Sequence, residues 1–286
     1  MPLAPGAPPD LPPLREIIAR YELGARKGLG QNFILDLNLT RRIARAAGPL
    51  AQSSIVEIGP GPGGLTRALL ECGARHVTAI ERDTRCIAAL HDLALAYPGR
   101  LTVIEGDALA LDPADLVAAP RRIVANLPYN IATPLLISWL KRMRDYESLT
   151  LMFQKEVAQR LIARPRSHDY GRLTIVTQWL ATVRALFDIP GSAFVPPPKV
   201  TSTVVQLVPR PRPLVACRFA DLERVTAAAF GQRRKMLRAS LRSLGDSARL
   251  LEAAGVRPTA RAEELTVEEF CALARALEAT TPPAAG

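Results

Sequence analysis

Residues 54–74 read SIVEIGPGPGGLTRALLECGA. The apolar run from Ile55 to Ile58 ends in four glycines at 59, 61, 63 and 64, and a helical spacing of apolar side chains begins near Leu65. That is a short buried strand, a tight turn and a helix. Glycine permits backbone dihedrals, and a closeness to a ligand, that other residues forbid. The stretch satisfies Gly59-x-Gly61-x-x-Gly64, the dinucleotide fingerprint, with Glu81 22 residues beyond Gly59 and suited to a ribose. Taken alone, this motif does not separate NAD from S-adenosylmethionine.

Working outward, HVTAIERD is a second strand ending in acid, LTVIEGDAL a third ending at Asp107, and RRIVANLPY a fourth ending in an Asn-Leu-Pro-Tyr corner. Helical stretches over Thr84 to Tyr97 and Pro113 to Ala119 separate them. Strand and helix alternating at this rhythm give βαβ units and a parallel sheet. Ligands of such sheets sit at the carboxyl ends of the strands, which is where each of these unusual residues falls. Helices are also expected over 14–24 and 37–47, with the Gly-rich, polar ARKGLGQNFIL between them. SLTLMFQKEVAQRLIA reads as a strand running into a helix, RLTIVTQWLA as either type, and TSTVVQLVP as a closing strand.

Three features favour S-adenosylmethionine over NAD. Glu57, two positions before the first glycine, is a poor neighbour for a pyrophosphate but a fitting partner for a sulfonium-bearing amino acid. Asp107 offers a carboxylate to an adenine amine. Asn126-Leu127-Pro128-Tyr129 is required by no dehydrogenase pattern. An exocyclic adenine amine is a poor nucleophile because its lone pair is delocalised into the ring. Acceptance of its hydrogens by the Asn126 side-chain oxygen and the Leu127 carbonyl would hold that lone pair out of the ring plane. Pro128 stiffens the corner and Tyr129 offers a ring to the base. The base must then be unpaired or flipped from its stack.

The whole chain has 286 residues, 48% of them hydrophobic and 22% charged, the composition of a globular protein. Its longest candidate spanning run, Ile131 to Leu140, is about half the roughly 20 residues a bilayer requires, so no transmembrane helix is expected. The Pro-rich start lacks signal-peptide and transit-peptide patterns, which makes a cytoplasmic protein the expectation. Four cysteines are scattered without C-x-x-C or Cys/His pairing, so neither a disulfide framework nor a metal site is expected. The net charge is +10, and residues 210–245 hold nine Arg or Lys against Asp221 and Glu223. Such a positive patch favours a polyanion.

Prolines 209, 211 and 213 mark a boundary near residue 209, and DLERVTAAAFGQRRKMLRASLRSLG beyond it is strongly helical. Ser247 to Ala254 and Val267 to Ala279 continue the helical pattern. One helix through FGQRRKMLRASLRS would place Arg234, Arg238 and Arg242 on one face and Leu237, Leu241 and Leu244 on an apolar stripe.

The ordered motifs GQNF, VEIGPGPGGLT, ERD, EGDAL, NLPYNIATPLL, FQKEVAQRL, YGRL, FVPPPKVTSTVVQL and FGQRRKMLR resemble the rRNA adenine N6-dimethyltransferases, from about residue 26 to 275. The GPGG continuation differs from some members, and residues 1–13 have no evident counterpart. The resemblance implies an α/β fold of the class I S-adenosylmethionine-dependent methyltransferases, Rossmann-like, with a mostly parallel seven-stranded sheet and a small all-helical C-terminal domain. It implies transfer of four methyl groups to two adjacent adenosines near the 3′ end of small-subunit rRNA, within a pre-30S particle, late in ribosome assembly.

Carried onto this sequence, the resemblance puts Asn32, Ile34, Gly59, Gly61, Glu81, Asp107 and Asn126 at the cofactor. It puts Asn126, Leu127, Pro128, Tyr129 and Phe194 at the target base, Phe194 being the second face of an adenine sandwich with Tyr129. Arg233, Arg234, Lys235, Arg238 and Arg242 would meet rRNA phosphates. The expected organisation is a flexible start over 1–13, a catalytic domain over 14–208 and an RNA-contacting domain over 209–286, in a monomer. Two alternatives remain open. A large-subunit rRNA methyltransferase of the antibiotic-resistance type is disfavoured by NLPY, the triple proline and the basic QRRK. A non-catalytic ribosome-assembly factor is disfavoured by the intact Glu81, Asp107, Asn126 and Tyr129.

Overall fold

The computed structural model describes residues 10–26, 28 and 30–280. The first nine residues of the Pro-rich start lie outside the described residues, while Leu14–Arg20 forms a helix. Among the described residues nine strands follow in chain order: β1 (Phe33–Ile34), β2 (Ser54–Ile58), β3 (Val77–Glu81), β4 (Leu101–Glu105), β5 (Arg121–Asn126), β6 (Ser148–Gln154), β7 (Ala181–Ile189), β8 (Phe194–Val195) and β9 (Ser202–Pro209).

Seven of them form one sheet in the order β4-β3-β2-β5-β6-β9-β7, and β1 pairs with β8 in a two-stranded antiparallel piece. The β4–β3, β3–β2, β2–β5 and β5–β6 pairs are parallel, and β9 joins β6 antiparallel. Every residue of β3, and all of β2 and β6 but one end residue, is buried. Because successive side chains point to opposite faces, both faces of the inner sheet are covered. The core here joins Ile55, Leu69, Val77, Leu90, Val124, Met152 and Val204.

Strand order reverses between β2 and β5, which opens a crevice at their carboxyl ends. The turns there are built by capping. Gly63, at φ 84°, starts the helix Gly64–Glu71, Asp83 caps Thr84–Ala96 by accepting from the Arg85 N–H, and Pro128 starts Tyr129–Lys141.

The chain divides into two compact units, Met1–Lys155 with Ala185–Leu207, and Glu156–Arg184 with Val208–Gly286. This differs from a single division near residue 209, because residues 156–184 share a core with the C-terminal helices. In that second unit Ile175 and Trp179, on the helix Arg172–Leu180, pack with Leu222, Val225, Phe270 and Leu273. Trp179 lies against Phe219 at 5.9 Å between ring centroids, and its indole N–H donates to the Val215 carbonyl.

One expected element is corrected. The continuous helix through FGQRRKMLRASLRS is broken: Phe219–Gly231 ends at Gly231, residues 232–235 turn, and a short helix resumes at Leu237–Ser240, followed by a 3-10 turn over Leu241–Leu244. The break is imposed from a distance. Met236 bridges Arg261, and the Leu237 and Arg238 N–H groups donate to the carbonyls of Ala260 and Pro258. Leu237 and Leu241 are buried as their spacing implies. No helix among the described residues is long and apolar enough to cross a membrane.

Candidate active site

A cavity opens at the ends of β2, β3, β4 and β5, roofed by residues 30–34. Of the residues expected at the cofactor, Asn32, Ile34, Gly59, Gly61, Glu81, Asp107 and Asn126 all line it, and so do Leu127, Pro128 and Tyr129. The glycine loop needs its glycines. Gly59, Gly61 and Gly63 have φ of 64°, 56° and 84°, and a Cβ on Gly61 would stand 2.9 Å from Phe33 Cε1.

Glu81, at the end of β3, is 7% exposed and accepts three backbone N–H bonds: Gly61 at 2.9 Å on one oxygen, Arg82 at 2.8 Å and Asp83 at 2.9 Å on the other. These ties lock the acid onto the glycine loop. Burial raises its pKa, against the lowering effect of the three N–H donors. Asp107 accepts from the Leu109 N–H at 2.9 Å and pairs with Arg82 at 3.1 Å, where it is partly open to solvent.

Glu57 is the unusual group. It is 1% exposed inside β2, and its Oε2 has no hydrogen-bond partner. Burial, helped by the charge of Glu81, pushes its pKa up to about 8; the Thr66 hydroxyl opposes this without reaching bonding geometry. Three acidic side chains, Glu57, Glu81 and Asp107, thus face one guanidinium, Arg82, among the described lining residues, and burial keeps Glu57 largely protonated near neutral pH until a cation pairs with it. That charge set repels a pyrophosphate and fits a ligand carrying ammonium and sulfonium charge.

The β5 corner is oriented from across the cavity. Asn126 Nδ2 donates to the Asn32 carbonyl at 3.0 Å, so its amide nitrogen is committed and Oδ1 is left to accept. No backbone N–H among the described residues donates to the Leu127 carbonyl, while the Leu127 side chain is buried. The half-buried Tyr129 is fixed by a 2.6 Å hydrogen bond between its hydroxyl and Ser202 Oγ on β9. Phe194 is placed differently. It is 1% exposed, pairs through its backbone with Ile34, packs in the core and does not line the cavity.

Sequence reading passed over Gln31 as a separate element of the site. Its Nε2 donates to Asp83 at 3.0 Å and its Oε1 accepts from the Arg26 N–H at 3.0 Å, which ties the roof to the end of β3. The GQNF motif holds it, but its partner lies 52 positions away. Among the five basic residues expected at RNA, Arg234, Lys235, Arg238 and Arg242 are exposed, whereas Arg233 is engaged by Glu263 and by two carbonyls.

The strand order, the glycine loop, the acids at the ends of β3 and β4 and the Asn-Leu-Pro-Tyr corner define an S-adenosylmethionine-dependent methyltransferase. The profile of one family, ribosomal RNA adenine dimethylase, matches residues 23–279, and the chain belongs to that family. It is 65% identical over 272 residues to the ribosomal RNA small subunit methyltransferase A of Paramagnetospirillum magneticum, covering 95% of this chain and 97% of that one. The protein of the same name from Azorhizobium caulinodans is 62% identical, with 93% of each chain covered. Among solved structures, a dimethyladenosine transferase from Plasmodium falciparum superposes with a TM-score of 0.74 at 26% identity, over 84% of this chain and 95% of that one. The 23S rRNA methyltransferase ErmE gives 0.64 at 29% identity, over 86% and 100%.

Proposed function

We propose that this enzyme transfers methyl groups from S-adenosylmethionine to the exocyclic N6 of two adjacent adenosines in the 3′-terminal hairpin loop of small-subunit rRNA. It acts as a cytoplasmic monomer on a late pre-30S particle. The observation that carries the chemistry is the hydrogen bond from Asn126 Nδ2 to the Asn32 carbonyl, which fixes the amide with its oxygen free.

Asn32, Ile34, Gly59, Gly61, Glu81 and Asp107 would hold S-adenosylmethionine, with Glu57 balancing its positive charge. When bound, that molecule supplies an electrophilic methyl group. The work of the chain is to prepare the acceptor. Asn126 Oδ1 and the Leu127 carbonyl take the two N6 hydrogens and turn the lone pair out of conjugation. Pro128, at φ −57°, keeps the two acceptors in a fixed relation. Tyr129, held by Ser202, offers a stacking face to the flipped base. Phe194, buried in the core beside β1, would reach the base only if the 194–200 segment moved. Among the described lining residues there is no His or Lys. This suits a reaction whose alkylated amine is acidic enough to lose its proton without a strong base.

The small-subunit substrate is favoured over the large-subunit one by the names and high identity of the sequence relatives. Incubating the protein with labelled S-adenosylmethionine and either undermethylated small subunits or naked large-subunit rRNA tests the choice. Label in the small subunits alone is expected. Label in the large-subunit RNA alone would contradict the assignment, and binding without any transfer would point to an assembly factor.

A further inference from the structure

Arg233 sits between residues that face solvent, yet its guanidinium is spent inside the protein. Nε donates to Glu263 at 2.8 Å, and the two terminal nitrogens donate to the carbonyls of His168 at 2.8 Å and Ser167 at 3.2 Å. Glu263 takes part twice, because its own carbonyl accepts the Arg166 N–H at 2.7 Å. The 164–169 loop is thereby clamped to the turn carrying Arg234 and Lys235, from positions 66 residues apart in the chain. Arg166 is held at φ 70°, a left-handed conformation that a side chain other than glycine rarely adopts. The loop therefore keeps a shape it would not choose alone. Arg164 and Arg166 are exposed and have no acidic partner among the described residues, as is true of Arg234 and Lys235.

We propose that the 164–169 loop and the 232–235 turn form one composite surface for the phosphate backbone of structured RNA, and that the Arg233–Glu263 clamp assembles it. Arg164, Arg166, Arg234 and Lys235 are the phosphate contacts. Arg233 and Glu263 are positioning residues, which removes Arg233 from the contact set suggested by the sequence. Two cations separated by Pro165 on a strained loop, beside two on a turn, match a bent or folded backbone better than the single straight row a helix would present. The inference rests on the proposed RNA substrate and adds to it a surface that no local motif announces.

The test is binding of the full chain to a small-subunit rRNA transcript across a salt series, with S-adenosylmethionine affinity measured in parallel. Arg164→Ala with Arg166→Ala should lower the slope of log affinity against log salt by about 1.5, at roughly 0.7 to 0.9 per phosphate contact. Cofactor affinity should not change. Glu263→Ala is the decisive variant, because it removes a negative charge from a polyanion site. Simple electrostatics, with Arg233 released to touch phosphate, would tighten binding. The clamp instead requires weaker binding, a slope lowered by a similar amount, and faster hydrogen exchange at the Arg166 amide. Glu263→Gln, which keeps an acceptor for Arg233, should recover part of the slope. Unchanged slope in the double variant, or tighter binding in Glu263→Ala, would overturn the proposal. Methylation of small subunits by the wild-type protein, alongside either of these variant results, separates this failure from failure of the proposed function.

Discussion

Glu57→Gln should stabilise the ligand-free protein at high pH and leave it nearly unchanged in acid. The carboxyl is 1% exposed, has an unpaired oxygen and titrates at about 8, against an ordinary value of 4.5. Below 4.5 the group is protonated in both folded and unfolded states, and no penalty exists. Between 4.5 and 8 the unfolded chain ionises while the folded one resists, so stability falls as pH rises. Above 8 the penalty is complete. At about 1.4 kcal/mol per pH unit it reaches about 5 kcal/mol, a large share of the 5–15 kcal/mol that holds a typical domain. Denaturant unfolding of the two proteins at about pH 4 and about pH 9 isolates this effect, since any packing change from the amide is common to both conditions. A stability difference that is the same at both pH values would mean that Glu57 does not titrate in this window. A cationic ligand reverses the balance: affinity for S-adenosylmethionine should rise up to tenfold per pH unit until about pH 8, and Glu57→Gln should flatten that rise.

Asn126→Ala removes the oriented acceptor, so the transfer rate should fall by about 10²- to 10³-fold while cofactor affinity weakens far less; a mutant as fast as wild type in single-turnover assays would end that assignment. Arg234→Glu with Arg238→Glu should weaken RNA binding and flatten its salt dependence without altering cofactor affinity, and an unchanged salt slope would move the RNA face elsewhere. Phe194→Ala should cost about 3 to 5 kcal/mol in denaturant unfolding, as for any large core aromatic. A loss below about 1 kcal/mol, with transfer abolished, would mean that Phe194 serves the base and not the core.

The sheet and its crevice were legible because their signals are local. Each of β3 to β5 is an apolar run ended by a polar residue, β2 runs straight into the glycine loop, and those ends converge where strand order reverses. What escaped depends on distance. The strands β1 and β8 are two residues each, too short to show a period. The β7 strand follows the helix Arg172–Leu180 with no Gly or Pro between them, so RLTIVTQWLA could be read as either type. QRRK has helical spacing, yet it turns because the backbone of Leu237 and Arg238 bonds the segment 258–260, far along the chain. In the site, the residue types were readable but their couplings were not. The Asn126–Asn32 bond joins positions 94 apart, and the burial that raises Glu57 is a property of the assembled sheet.

Dimethylation of two adjacent adenosines in small-subunit rRNA is the activity proposed for this enzyme. Undermethylated subunits treated with the enzyme and S-adenosylmethionine, then digested to oligonucleotides for mass spectrometry, address it most directly. One 3′-terminal hairpin fragment gaining four methyl groups, two on each of two neighbouring adenosines, is the predicted result. Methyl groups on a single adenosine, on another base, or on no fragment of the small subunit would contradict it.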